Sequence, residues 1–319
     1  MRAVDAVAPS MARARRSPLS VELAFVVVPE WQASGSARAL RLVDGAMAIA
    51  GDLPVARTTV LEVPVEAGDA LGTGVERLSA IQDVAARHAA ALDAAAGVPV
   101  SIGGDCGIAV TAAARSMREA DTALVWLDAH PDLHTPASSR SHAFAGMVLR
   151  TLLGDGPDGL APVPAVAAER VVLAGVRSID DDEEACIGDR DLALVPCPDD
   201  PADAEGFATR LVAAVLGTGA RRVHVHVDVD VLDPAEFSSK SEPVPFGLSV
   251  AALTGAIRAL VARFPLAGAS IAEFAPSDPA EAAGDLGTIL RVVAALRSGG
   301  GTPTDRSASA ATRGDGADA

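Results

Sequence analysis

The 319-residue chain carries 42 Asp and Glu against 26 Lys and Arg, a formal net charge of -16, which argues against nucleic acid or an anionic membrane as partner. With 50% hydrophobic residues it can bury a large core, and its length allows one large domain or two small ones. The three cysteines (Cys106, Cys186, Cys197) make no disulfide framework and point to a reducing, cytoplasmic setting; tyrosine, a common acid/base group, is absent.

Residues 1–20, rich in Ala, Arg and Ser, read as a disordered arm. The arm lacks the apolar stretch and cleavage pattern of a signal peptide, and no apolar run approaches a membrane span. Short apolar runs then predict strands at Glu22–Val28, Val98–Ile102, Ala123–Leu127, Val171–Gly175, Ala193–Pro196, Val223–Val229 and Gly268–Glu273. Ala-rich stretches between them predict helices at Val75–Ala96, Phe144–Leu153, Ala204–Leu216 and Val250–Arg263. Asp203 is a fair N-cap for the third, although Gly206 in its first turn weakens that start. Apolar strands alternating with helices make an α/β domain over residues 21–297, its parallel sheet covered on both faces. Residues 298–319 are polar and low in complexity, which predicts a disordered tail.

Two segments carry the chemistry. In Thr122 to Met147 an apolar run ends abruptly in Asp128, His130 and Asp132. Two carboxylates and an imidazole would converge where that strand leaves the sheet, the place where sites gather in open α/β folds. The second segment, His224 to Phe237, sets His224, His226, Asp228 and Asp230 on one side of a strand and Val223, Val225, Val227 and Val229 on the other. Four polar residues in register on a buried strand are costly unless compensated, and a bound cation compensates them most simply. Asp and His donors of this mix suit Mn²⁺, Fe²⁺ or Zn²⁺.

Asp128-Ala129-His130-x-Asp132 with Asp228-x-Asp230-x-x-Asp233-Pro234 resembles the arginase/agmatinase (ureohydrolase) family. Further matches are Ser101-Ile102-Gly103-Gly104-Asp105, Gly175-Val176-Arg177, Pro245-x-Gly247-Leu248 and Glu273. The resemblance implies a three-layer α/β/α fold with a mainly parallel central sheet. It implies two Mn²⁺ ions sharing a water that becomes hydroxide near neutral pH, and hydrolysis of a C–N bond in a small guanidino or amidino substrate. It also implies a homo-oligomer, a trimer or hexamer. Asp128 and Asp228 would bridge the ions, His130 and Asp230 would complete one site, and Asp132 would serve the other. Glu273 would grip the guanidinium. Asp180 and Glu183 fall where arginases hold the α-amino group, and Ser139 and Ser141 where hydroxyls reach the α-carboxylate; an acidic solvated turn is the competing reading for the Asp180–Glu183 run. His134 replaces an Asn of that region.

Two departures touch the chemistry. Cys106 stands where the family has a ligating histidine, and a thiolate there suits Zn²⁺ better than Mn²⁺. Ala145 stands where arginases have a proton-carrying histidine, which leaves His142 or His134 as substitutes. Two alternatives to the hydrolase stay open: a mononuclear zinc amide hydrolase, and a metal-binding member with impaired catalysis acting as a structural or regulatory subunit.

Overall fold

The computed structural model describes residues 22–299. The arm expected over 1–20 and all of the expected tail beyond Gly299 lie outside the described residues. The strands are β1 (Leu23–Val28), β2 (Thr58–Val60), β3 (Val98–Gly103), β4 (Thr122–Leu127), β5 (Val171–Ala174), β6 (Ala193–Val195), β7 (Arg222–Asp228) and β8 (Leu266–Ala272). They form one parallel sheet in the order β2-β1-β3-β8-β7-β4-β5-β6. Seven coincide with the predicted apolar runs. The eighth, β2, is a three-residue edge strand with no alternation to read.

The helices are α1 (Leu40–Asp52), α2 (Leu78–Ala94), α3 (Ile108–Met117), α4 (Val148–Arg150), α5 (Asp181–Asp189), α6 (Ala204–Gly217), α7 (Val250–Arg263) and α8 (Pro279–Arg297). Helices α1, α6, α7 and α8 bury their apolar faces on one side of the sheet, against residues such as Val125, Val225 and Ile271. Helices α2, α3, α4 and α5 cover the other side, against Leu124, Trp126 and Leu173. The three layers follow from strands that are apolar on both faces. No helix among the described residues is long and apolar enough to cross a membrane.

Three local expectations change. The helix predicted over Phe144–Leu153 is a 3₁₀ turn (Phe144–Met147), then α4, then a π turn (Thr151–Asp155). Gly154 takes φ 100°, and the Thr151 hydroxyl donates to the Met147 carbonyl at 2.8 Å, so side chain and backbone break the regular ladder. The helix predicted from Val75 starts at Leu78, because Arg77 is left-handed at φ 56°. The acidic run after Asp180 is α5, closed by a capping box in which Asp180 and Glu183 each accept from the other's backbone N–H at 3.3 Å. Four acidic residues in its first turn also suit the positive end of the helix. At α6 the Asp203 carboxylate does accept from Gly206 N–H, at 3.0 Å. A Cβ on Gly206 would sit 2.2 Å from that carboxylate, so the glycine makes room for the cap.

Candidate metal centre

Strands β3, β8, β7 and β4 are neighbours in the middle of the sheet, so their carboxyl ends open on one edge. Cys106 follows β3, Glu273 follows β8, Asp228 closes β7, and Asp128 follows β4. Around them, His130 Nδ1 lies 2.8 Å from Asp230 Oδ2 and 3.7 Å from Asp128 Oδ1. The Cys106 thiol donates to Asp228 Oδ2 at 3.0 Å, and Cys106 N–H donates to Glu273 Oε1 at 3.2 Å. The structure thus brings Cys106, Asp128, His130, Asp132, Asp228 and Asp230 to one place, whereas His224, grouped with them in the sequence, lies deeper in the sheet with its Nδ1 2.8 Å from the Ser116 hydroxyl.

Backbone and side-chain donors aim the carboxylates. Ala129 N–H donates to Asp230 Oδ1 at 2.9 Å, Asp230 N–H to Asp228 Oδ1 at 2.7 Å, and His130 N–H to Asp128 Oδ1 at 2.6 Å. The indole N–H of Trp126 donates to Asp128 Oδ2 at 3.0 Å. Asp132 and Glu273 are left-handed at φ 51° and 68°, a conformation that non-glycine residues hold only where their surroundings impose it. Asp105 and Asp233 work on the backbone: Asp105 accepts from Ala33, Ser34 and Gly107 N–H, and Asp233 from Ala235 and Gly247 N–H. Arg177 donates to the carbonyls of Asp230 and Val244, both at 2.8 Å, and so ties the loop after β5 to the loop beyond β7. Gly104 is required by close approach, since a Cβ there would stand 1.7 Å from the Glu30 carbonyl oxygen.

The charges fit divalent cations. Burial first, then neighbouring carboxylates, pushes Asp128, Asp228, Glu273 and the Cys106 thiol up. Burial also raises Asp132, against the pull of His130. Burial opposes charge on His130, but the hydrogen bond and charge of Asp230 outweigh it and lift the imidazole to about 9. Burial likewise opposes charge on Asp230, which nevertheless falls below the usual carboxylate range through its bond to His130. Carboxylates and a thiol crowded together in this way favour the uptake of cations, and cations that bind would displace any protons held there. Among the described residues Asp132, which lines the cavity over this centre, has its Oδ2 buried without a hydrogen-bond partner. The oxygen, nitrogen and sulfur donors suit Mn²⁺ or Zn²⁺.

A cavity of about 410 Å³ opens over the centre. Cys106, His130, Asp132, Asp228, Asp230 and Glu273 line its floor, while Asp128 lies behind them. Ser141, His134, Asp180 and Glu183 line its walls, with His134 Nε2 3.1 Å from Asp180 Oδ2. Ser139 is buried behind the wall, where its hydroxyl accepts from His142 N–H at 3.1 Å. His142, named above as a substitute proton carrier, is exposed and does not line the cavity; φ 54° and its backbone bonds turn it outward. Ala145 does line it. Ser34, Ser241 and Glu242 also line the cavity, unforeseen from the sequence. Ser241 and Glu242 stand just before the Pro245-x-Gly247-Leu248 loop, which was their only signal.

The parallel order, the two helical layers and the centre at the strand ends define an arginase-like α/β/α protein. The chain belongs to the arginase family, whose model matches residues 24–292. The arginase of Staphylococcus aureus (strain COL) is 33% identical over 155 residues, covering 47% of this chain and 51% of that protein. The chain therefore spans about half the length of such curated relatives in these matches. The arginase of Bacillus caldovelox is 30% identical over 210 residues, covering 62% of this chain and 67% of the relative. In fold, the chain is similar to an Entamoeba histolytica arginase solved with L-ornithine, at TM-score 0.74 and 20% identity over 86% of this chain and 97% of that one.

Proposed function

We propose that the chain is a metal-dependent hydrolase that cleaves a C–N bond of a small guanidino or amidino cation. The observation that carries this reading is the cavity lining: among the described residues it presents seven carboxylates (Asp132, Asp180, Glu183, Asp228, Asp230, Glu242, Glu273) and neither Lys nor Arg. Such a wall favours cations, both resident and substrate.

Asp128 and Asp228 would help to hold both ions. His130 and Asp230 would complete an outer site, and Cys106 and Asp132 would serve an inner one. When bound, the ions supply a nucleophilic water oxygen at neutral pH. Glu273, fixed by Cys106 N–H, offers a carboxylate edge to guanidinium N–H groups and so orients the planar carbon. Asp180 and Glu183, gathered on His134, face the far end and suit a second positive group. His134 is the one cavity-lining imidazole besides His130, and it is positioned to carry a proton to the departing nitrogen.

One observation favours a member with impaired catalysis: Ala145 occupies the wall at the family's histidine position, and His142 does not replace it. The test is urea release from arginine, agmatine and guanidinobutyrate after loading with Mn²⁺ or Zn²⁺. Turnover of at least one, lowered on the order of 10²-fold by Glu273→Gln, is the expected result. Silence on all three by a fully loaded protein would favour the impaired reading.

A further inference from the structure

One buried base has no part in the reading above. His226 lies on β7 two residues before Asp228 and is fully buried. Strand alternation turns it to the face of α2 and α3, the side to which Asp228 also points. In register across the sheet run Ser101, Ser270, His226 and Trp126, one residue each from β3, β8, β7 and β4. The imidazole stacks on Trp126 with ring centroids 3.9 Å apart, and on its other side its Nδ1 lies 2.9 Å from the Ser270 hydroxyl. A ring held through one nitrogen presents the other in a fixed direction, as ligating histidines do.

That direction is the inner end of the candidate centre. His226 Nε2 lies 3.7 Å from Cys106 Sγ and 4.0 Å from Asp128 Oδ2. The contact to oxygen is too long for a hydrogen bond, and the contact to sulfur is at best a weak one. Both separations approach those of donors sharing a cation: bonds of about 2.3 Å to sulfur and about 2.0 Å to nitrogen at a tetrahedral angle put S and N about 3.5 Å apart. Asp132, a residue of the same cavity lining, keeps a buried Oδ2 without a partner, which points independently to a missing positive group nearby.

We propose that His226 is a ligand of the inner cation, so that Cys106, His226 and Asp128 form a sulfur–nitrogen–oxygen site that takes Zn²⁺ in preference to Mn²⁺. The imidazole absent from the position of Cys106 is returned from β7. This inference rests on the cavity being a metal centre, and its test separates the two.

The full chain is titrated with Co²⁺, metal content is counted, and the thiolate-to-cobalt charge-transfer band is followed in wild type, His226→Gln and His226→Ala. The expected result is a thiolate band in wild type and, in both variants, at least about tenfold weaker Co²⁺ binding at the thiolate site with the other equivalent retained. Since a variant can misfold, X-ray absorption of the wild-type Zn²⁺ form gives a second readout: one sulfur and two imidazoles shared over two ions. A thiolate band untouched by both substitutions, or imidazole scattering from His130 alone, overturns the role of His226. Cobalt bound without any thiolate band does the same, while leaving the hydrolase reading standing. No cation bound at all overturns both.

Discussion

Trp126→Phe tests how the shared carboxylate is aimed. Trp126 is fully buried, and its indole N–H donates to Asp128 Oδ2 at 3.0 Å. Phenylalanine keeps an aromatic ring beside His226 but removes the donor. A hydrogen bond to a charged group is worth about 1.5–3 kcal/mol. If that bond orients Asp128 for a cation, its loss weakens cation binding by about 10- to 100-fold. The assay is competition against a chromophoric chelator at fixed pH, on variant protein shown to be folded by near-ultraviolet circular dichroism. Lost packing will also lower the melting temperature, so affinity, not stability, is the deciding readout. A folded Trp126→Phe protein that binds cations as tightly as wild type would refute the claim that Trp126 positions Asp128.

Ala145→His puts an imidazole on the cavity wall, and turnover should rise by up to the order of 10²–10⁴-fold if a missing proton carrier limits the rate. Urea release would show this, and an unchanged rate would mean that the proton already has a route. Burial holds His88 at about 3, against an ordinary 6.5, while its Nε2 pairs with the Ser101 hydroxyl at 2.8 Å. The core accepts the neutral form, so this group's contribution is full above the unfolded value and is lost as pH falls. Relative to His88→Asn, wild type should lose about 2 kcal/mol of unfolding free energy between about pH 7.5 and about pH 5, read by urea denaturation at each pH. A pH-independent difference would contradict the assignment. Gly104→Ala, whose Cβ would strike the Glu30 carbonyl at 1.7 Å, should cost about 3 kcal/mol or more in thermal or chemical unfolding.

What was legible followed from local pattern. The apolar run that stops at Asp128 and the polar/Val alternation from Val223 revealed both central strands, although the second ends at Asp228 and Asp230 lies in the turn beyond it. Asp180 and Glu183 carried two competing readings, substrate carboxylates or an acidic solvated turn, and α5 shows instead that they cap a helix start while also lining the cavity wall. Other features depend on what the sequence does not print. Alternation put His226 on the correct face, but its aim depends on Ser270 and Trp126, which lie 44 and 100 residues away and meet it only through sheet register. Ser34 and Glu242 reach the cavity from loops without periodicity. The break at Phe144–Asp155 arises from Gly154 and the Thr151 hydroxyl, both compatible with a helix until the tertiary setting decides.

The central claim is that the carboxylates at the strand ends hold divalent cations. Its most direct test is elemental analysis of metal per chain, on protein purified without chelator and again after equilibration with Mn²⁺ and Zn²⁺. The account predicts two equivalents per chain in the equilibrated protein, with zinc retained at one site when manganese is dialysed away. A folded chain that holds no divalent cation under any of these conditions would contradict it.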